Sequence, residues 1–214
     1  MVRIYLDLET YRPSPEGAFV DEKIVLCGLL LDNAPHHENY LNQKPQQILL
    51  SEWDGLNESQ IVAKIQDIIK EAIANNKFNE VMGFGILRFD IPLLTCRSVQ
   101  YSLSTLNEAA KMWHDCLSID YAQQLLAANG NGFKGATLDN IIAVAQKLNL
   151  NPPPHTGAGH TMRELYPQKR YAEIEQHLKE DLDAIRWLDL FGARRLIQTS
   201  MEERRPLFQE MVKR

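Results

Sequence analysis

The sequence predicts an α/β fold in which helices flank a mixed β-sheet. Two observations support this prediction. Patterns typical of strands occur first, beginning with a strict alternation of apolar and polar residues over 2–9. Patterns typical of helices follow and alternate with short strand-like runs toward the end of the chain. The 214 residues contain no internal repeat, so we expect residues 1–214 to form a single domain.

Five segments carry the strand patterns. The alternating segment 2–9 is followed by the uniformly apolar run 24–31, which is typical of a buried strand. Residues 36–50 resemble further short strands, and 81–86 form another apolar run. Residues 116–126 predict a short strand followed by the start of a helix.

Helix signals occur at several further places. A helix is expected to begin at Ser59 or a neighbour, because apolar residues then recur at helical spacing. Asp90 lies near the N-cap of a second helix, whose first turn contains Pro92 at a position where the missing N–H costs nothing. Thr137 is expected to cap a third helix, and residues 171–199 are expected to form a long one. We also expect a short charged helix at the end of the chain.

The composition is that of an ordinary globular protein, with 44% hydrophobic and 24% charged residues. A protein that coats nucleic acid is usually basic, whereas this chain has a net charge of −5. A nucleic-acid partner would therefore need a locally basic surface or metal ions. Cys27, Cys96 and Cys116 form no Cys-x-x-Cys pair, which argues against a disulfide framework or a zinc ribbon and is typical of a reducing compartment.

No segment is apolar for long enough to predict a membrane span. Asp7 and Glu9 would also interrupt the apolar core of a signal peptide. We therefore expect a cytoplasmic protein without membrane contact. The sequence identifies no protein partner.

The first candidate site is the pair of acids in the opening strand. Asp7 and Glu9 share one face of that strand, roughly 6–7 Å apart, and can reach one cation together. Hard cations such as Mg²⁺ prefer carboxylate oxygens. Two acids on a solvated strand face are the simpler alternative, and such a pair is common by chance. The apolar residues at the alternate positions favour a central strand, where acids need a partner.

Asp90 is the third candidate acid, because it follows a strand and precedes a helix. An aspartate that only caps the helix explains this position when it is considered alone. The functional alternative is a carboxylate at the carboxyl end of a strand, which is where open α/β sheets bind ligands.

The long helix contributes the fourth candidate acid. Asp181 falls within an apolar stripe, whereas Asp183 falls on the opposite, solvent-facing side. The stripe consists of Ile174, Leu178, Ile185 and Leu188. A buried carboxylate is costly unless it is paired or binds a metal. His177 lies one turn before Asp181, so a simple pair between these two residues on the helix surface explains the pattern equally well.

Three short segments, in order along the chain, resemble the exonuclease motifs of the DEDD superfamily, which comprises 3′–5′ exonucleases with a ribonuclease H-like fold. The segments are Asp7-Leu8-Glu9, Phe89-Asp90 before a helix, and His177 with Asp181 on a late helix. The similarity is greatest to the proofreading domains of family-B DNA polymerases and their stand-alone relatives. It rests on residues 5–10, 83–94 and 171–188 and on the loose spacing of strands between them, and with that spacing it covers most of the chain.

The resemblance implies an exonuclease that hydrolyses the 3′ end of single-stranded nucleic acid, DNA rather than RNA, and releases nucleoside 5′-monophosphates. Two divalent ions, Mg²⁺ or Mn²⁺, would be required. Asp7 would bridge both ions, and Glu9 and Asp181 would complete the site beside the nucleophile. Asp90 would act mainly through water, and His177 would orient or deprotonate the attacking water.

The resemblance also implies substrate contacts. Leu8, Thr10 and Phe89 would contact the terminal nucleotide, and Arg88 would contact phosphate. Apolar and aromatic side chains suit frayed ends, because stacking ignores base identity. Surface charge with no ligand is the alternative for Arg88.

Two positions depart from the family pattern. Gly85 stands where the second motif usually has an asparagine. His177 has the residue type of the histidine branch but lies at the Tyr-x-x-x-Asp spacing of the polymerase-like branch. His155 and His160 lie in the Pro/Gly-rich loop 151–159 or just beyond it, and we expect them to be exposed loop residues, because no cluster of ligands completes a zinc site there.

Two other functions remain possible from the sequence. A ribonuclease H-like endonuclease, such as a resolvase, also places acids on a first strand and a late helix. A nucleic-acid-binding module that has lost catalysis is the non-enzymatic alternative. Retention of all four acids argues against such a module, because an inactive relative would gain by losing a buried cluster of charge.

Overall fold

A computed structural model describes residues 2–14, 19–32, 44–76, 78–156 and 162–208. Within these ranges the chain forms one sheet with helices on both faces. None of the described helices combines the length and the apolar character needed to cross a membrane.

The sheet has five strands: β1 (Val2–Tyr11), β2 (Lys23–Asp32), β3 (Gln46–Ser51), β4 (Asn79–Gly83) and β5 (Leu117–Asp120). Their order across the sheet is β3-β2-β1-β4-β5. The pairs β1–β2 and β2–β3 are antiparallel, while β1–β4 and β4–β5 are parallel. The predicted α/β fold with a mixed sheet is therefore confirmed, with β1 at the centre of the sheet.

Eight α-helices are described: α1 (Glu58–Asn75), α2 (Asp90–Gln100), α3 (Leu106–His114), α4 (Tyr121–Gln124), α5 (Leu138–Lys147), α6 (Met162–Leu165), α7 (Tyr171–Trp187) and α8 (Ala193–Glu203). A π-helical turn, Leu188–Gly192, joins α7 to α8. Two 3₁₀ turns occupy Phe19–Asp21 and Leu125–Asn129.

The two faces of the sheet bury different sets of helices. On one face, Tyr5 of β1 and Leu26 of β2 pack in the same cluster as residues of α5, α7 and α8. On the other face, Ile4 and Leu6 of β1 pack with residues of α1, α2 and α3. Because side chains alternate along a strand, Asp7 and Glu9 lie on the α7 side.

The predicted elements are largely present, with three corrections. The strand expected over 81–86 ends at Gly83, because the chain turns at Gly85, which has φ +81. The predicted helix 171–199 is interrupted by the π-helical turn and extends to Glu203. Helix α3, capped by Thr105, and the short helix α6 are absent from the predicted elements.

Other predictions agree with the structure more closely. The first helix begins after Asn57, a neighbour of Ser59, and Thr137 caps α5 as expected. Of the strands expected over 36–50, β3 occupies the end, and residues 33–43 lie outside the described residues. The charged helix expected at the end of the chain also lies partly outside them, from residue 209 onward.

One glycine allows α7 to approach the sheet closely. Gly28 of β2 pairs with Asp7 of β1 and faces α7. A Cβ atom at Gly28 would lie 2.6 Å from a methyl carbon of Leu182 and 2.8 Å from one of Leu178. The two leucines flank Asp181 on α7, so the missing side chain at position 28 sets the distance between Asp181 and Asp7.

Candidate metal centre

Three carboxylates converge at the centre of the sheet. Asp7 and Glu9 come from β1, and Asp181 comes from α7. One oxygen from each lies within 4.8 Å of the others, which is close enough for a single cation to bind all three. Strand alternation predicts that Asp7 and Glu9 share a face, and the apolar stripe predicts that Asp181 faces the core, whereas the expectation that the three meet comes from the resemblance to the exonuclease motifs.

The two aspartates of α7 differ as predicted. Asp181 is partly buried against the sheet, and its side chain is 16% exposed. Asp183, two residues later, is exposed to solvent. The helix therefore presents only Asp181 to the carboxylates of β1.

Asp90 lies beside the three-carboxylate group without belonging to it. It is the first residue of α2 and is only 4% exposed. Its carboxylate accepts a hydrogen bond from the backbone N–H of Leu8, which places it next to β1. The N-cap residue of α2 is Phe89, and its side chain makes no capping hydrogen bond. Asp90 is therefore not the N-cap, and a capping role does not explain why it is buried.

Asp120 fixes the chain that leads to Asp90. It is the N-cap of α4, and it also accepts hydrogen bonds from the N–H groups of Gly85 at 2.9 Å and Leu87 at 3.2 Å. The loop between β4 and α2 is thereby tied to the neighbouring strand β5, which holds Asp90 at the carboxyl end of the sheet.

Burial and mutual repulsion change the acidity of the cluster. Burial raises the pKa of Asp7 well above its usual value, and the charges of Asp181, Asp90 and Glu9 raise it further. Burial and the charges of Asp181 and Asp90 raise the pKa of Glu9 to about 8. Burial is also the main cause that raises the pKa of Asp90, to about 7. A cation would relieve this repulsion, and the all-oxygen donor set fits Mg²⁺ or Mn²⁺.

His177 lies next to Asp181, one turn earlier on α7. Its Nε2 is 3.7 Å from an Asp181 oxygen, which is an ion-pair distance and too long for a hydrogen bond. Its Nδ1 is buried and has no hydrogen-bond partner among the described residues. The pair between the two residues is therefore present as an ion pair, but it leaves Nδ1 of His177 without a partner among the described residues.

The expectation for His155 is wrong. Its side chain is 2% exposed, and its Nε2 lies 2.7 Å from Asp181 Oδ1, while Nδ1 lies 3.3 Å from Asp139 Oδ1. Burial lowers the pKa of the imidazole, but the hydrogen bond to Asp181 and the neighbouring carboxylates outweigh it, and the pKa is raised. Loop residues show no periodicity, so no signal in the sequence pointed to this contact. His160 lies outside the described residues.

The loop that carries His155 is anchored to α7. Thr156 donates hydrogen bonds to Glu180 from its backbone N–H and from its hydroxyl, both at 2.7 Å. Glu180 is buried and also accepts a hydrogen bond from Gln176. Position 155 is therefore held against the carboxylates.

The four residues expected to contact substrate have different environments. Arg88 is exposed and lies over the ring of Phe133, 4.3 Å from its centroid. Phe89 is partly buried and packs edge-on against Phe19. The hydroxyl of Thr10 donates to Glu22 at 2.9 Å.

Leu8 requires a correction. Its side chain is 8% exposed and packs in the core on the face of the sheet opposite Asp7 and Glu9. The alternation that brings the two acids together turns the residue between them away. Only the peptide group of Leu8 reaches the site, where it donates to Asp90.

Solved structures resemble this fold. A family B DNA polymerase from the hyperthermophilic archaeon Pyrobaculum calidifontis is 16% identical with a TM-score of 0.57, and the match covers 97% of this chain. Exonuclease I of E. coli in complex with a dT13 oligonucleotide is 12% identical, with a TM-score of 0.45 and 95% of this chain covered. The zinc ion-bound form of the E. coli exonuclease I complex with single-stranded DNA is also 12% identical, with a TM-score of 0.40 and 85% covered.

These similarities have a limited extent. The chain spans 26% of the polymerase chain and 44% and 41% of the two exonuclease I chains. At 16% identity, the likeness to the polymerase establishes a shared fold alone. No protein-family model and no curated protein matches the sequence.

Proposed function

We propose that this protein is a divalent-metal-dependent 3′–5′ exonuclease that removes nucleoside 5′-monophosphates from single-stranded nucleic acid, DNA rather than RNA. The observation that carries the proposal is the convergence of Asp7, Glu9 and Asp181 within 4.8 Å, beside the buried Asp90. Two divalent ions, Mg²⁺ or Mn²⁺, would activate the attacking water and offset the charge that develops on the phosphate.

Each acid has a distinct part in this proposal. Asp7, Glu9 and Asp181 would hold one ion directly, and Asp7, at the centre of the set, would also contact the second. Asp90 is separated from the tight group, so it would reach the second ion mainly through water. The raised pKa values of the metal-free cluster support this assignment, because such repulsion is costly unless a cation offsets it.

The attacking water needs an acceptor beside the phosphate. His177 lies at the edge of the cluster, 3.7 Å from Asp181, with a side chain that is 23% exposed. Its imidazole would orient this water and accept its proton. The accessible position of His177 supports this role, since the substrate must arrive from solvent.

The substrate strand would contact side chains at two ends of the site, one beside Asp90 and one beyond Glu9. Arg88, exposed beside Asp90, would contact a phosphate. Phe89 would contact the terminal nucleotide. Beyond Glu9, the partly buried rings of Tyr11 and Tyr166 lie 4.5 Å apart and offer a surface on which bases could stack. Stacking of this kind favours a single strand, because paired bases already stack on each other.

The proposal is tested with oligonucleotides labelled at the 5′ end, single- and double-stranded, DNA and RNA, in Mg²⁺ or Mn²⁺. The wild type is expected to shorten single-stranded DNA from its 3′ end one nucleotide at a time. Asp7→Asn and Asp181→Asn are each expected to lose activity at least about a hundredfold. Asp183→Asn is the matched control, because it removes an exposed acid from the same helix.

Two outcomes would contradict the proposal. Release of internal fragments would identify an endonuclease instead. Equal and negligible release by the wild type and Asp7→Asn, with binding of single strands retained, would identify a binding module without catalysis.

A further inference from the structure

Two imidazoles face Asp181 on the side away from Glu9. His155 Nε2 lies 2.7 Å from Asp181 Oδ1, and His177 Nε2 lies 3.7 Å from Oδ2. One ligand atom from each of the three residues lies within 4.8 Å of the others. This group is separate from the set formed by Asp7, Glu9 and Asp181, although Asp181 belongs to both.

His155 is oriented as metal-binding histidines usually are. Such a histidine donates the N–H of one ring nitrogen to a carboxylate and presents the other nitrogen to the metal. Asp139 is the carboxylate here, 3.3 Å from Nδ1. Nε2 donates a hydrogen bond to an Asp181 oxygen 2.7 Å away in the metal-free protein, and loss of that proton would let both atoms bind one cation.

His177 is also available to such a cation. Its Nε2 faces Asp181 at 3.7 Å, too far for a hydrogen bond, and its ring lies 6.0 Å from that of His155 at an angle of 67°. The side chains of His177 and Asp181 are 23% and 16% exposed, which gives an ion access from solvent.

We infer that His155, His177 and Asp181 form a second cation site, selective for a borderline transition-metal ion such as Zn²⁺ over Mg²⁺. Imidazole suits zinc, whereas Mg²⁺ prefers oxygen ligands. Two imidazoles and one carboxylate leave a fourth tetrahedral position for water. Binding of this ion does not depend on the proposed nuclease reaction.

The shared carboxylate of Asp181 makes this ion a neighbour of the one held by Asp7 and Glu9. Ions bridged in this way lie about 3.5–4 Å apart. With Mg²⁺ alone, His177 remains free for water, whereas a transition metal would occupy it. The two sites therefore have different metal preferences although they share a ligand.

The inference is tested by titrating metal-free protein with Co²⁺, because four-coordinate Co²⁺ absorbs visible light much more strongly than six-coordinate Co²⁺. The wild type and Asp7→Asn are both expected to bind one equivalent with strong absorption. Zn²⁺ should displace it, and excess Mg²⁺ should not. Asp7→Asn disables the carboxylate site and leaves all three proposed ligands in place.

Variants identify the ligands. His155→Gln and His177→Gln are expected to weaken Co²⁺ binding by more than about a hundredfold, and Asp139→Asn by about ten- to a hundredfold. His114→Gln removes an exposed histidine from α3 and should bind as the wild type does. His177 is partly exposed, so His177→Gln should stay folded even if the buried His155 cannot be replaced, and thermal unfolding checks this.

Absence of strong absorption in the wild type, or full binding by folded His177→Gln, would overturn the inference. Failure of the nuclease proposal would look different. In that case the wild type would release no nucleotide, yet the Co²⁺ signal would remain and would still be lost in His177→Gln.

Discussion

Glu9 shows how one carboxylate of the cluster lowers the stability of the metal-free protein. It is 8% exposed, and burial with two neighbouring acids raises its pKa to about 8. An amide has nearly the same shape and no charge. Glu9→Gln should therefore unfold at a higher temperature than the wild type in a chelator at about pH 8, while the metal-dependent activity is lost.

Thermal unfolding followed by circular dichroism measures the first effect, and nucleotide release measures the second. Asp183→Asn should leave nucleotide release unchanged. A Glu9→Gln variant less stable than the metal-free wild type at that pH would show that this carboxylate is satisfied without a cation.

Gly85 is a position where the backbone selects the residue. Its φ of +81 is unfavourable for most side chains, although among the described residues no atom lies within 4 Å of the position of an added Cβ. Asparagine tolerates this region better than other residues. Gly85→Asn should thus stay within about 1 kcal/mol of the wild type, whereas Gly85→Val should lose about 1–3 kcal/mol.

Denaturant unfolding of both variants provides the comparison. Equal losses of stability in the two variants would indicate that the space around position 85, and not its backbone conformation, determines which residues fit there.

Single residues also show where prediction from sequence succeeds. Strand alternation and helical periodicity predict which way Asp7, Glu9 and Asp181 point, but the meeting of the three acids follows only from the resemblance to the exonuclease motifs. The contact of His155 is not predictable in this way, because loop residues have no period. Its position depends on the bonds between Thr156 and Glu180, and no pattern in the sequence encodes those bonds.

At the scale of elements, the distance between α7 and β2 determines the geometry of the centre. A side chain at Gly28 would meet Leu178 and Leu182, which flank Asp181. Gly28→Val should push α7 outward and weaken Mn²⁺ binding by roughly a hundredfold, since displacements of about 1 Å have effects of that size in active sites.

Calorimetric titration with Mn²⁺ measures the affinity. Leu29→Ala is the matched control, because Leu29 is buried on the opposite face of β2. It should cost about 2–5 kcal/mol of stability and leave the affinity unchanged. Equal loss of affinity in both variants would attribute the effect to general destabilisation.

Elements differ in how well the sequence predicts them. The strands β1 and β2 and the helix α5 follow from periodicity and caps. Helix α3 is absent from the predicted elements although Thr105 and Glu108 form a capping box, which is a local signal for the start of a helix. The π-helical turn after α7 carries no such signal, because its sequence continues the helical pattern.

For the whole molecule, the acidic cluster links stability to pH and to metal. Glu9 and Asp90 keep a proton in the folded chain up to about pH 8 and about pH 7, above their ordinary values of 4.5 and 3.8. Between those limits the unfolded chain binds fewer protons. The free energy of unfolding should therefore fall as the pH rises from about 4.5 to about 8, and excess Mg²⁺ should reduce that fall.

Melting temperatures recorded across this interval, in chelator and in Mg²⁺, test the prediction. The metal-free curve should decline while the Mg²⁺ curve stays flatter. Parallel curves would mean that the carboxylates do not bind the ion, and a metal-free curve that rises would mean that they are ionised in the folded chain.

The glycine opposite Asp7 has a consequence for the history of this fold. Gly28 and Asp181 belong to no common sequence motif. The residue at position 28 must nevertheless remain small, because only then can Asp181 approach β1. Across homologous sequences the two positions should covary, and a bulky residue on β2 should accompany loss of the acid on α7. The residue at position 28 would then distinguish homologues that keep the acidic site from homologues that share only the fold.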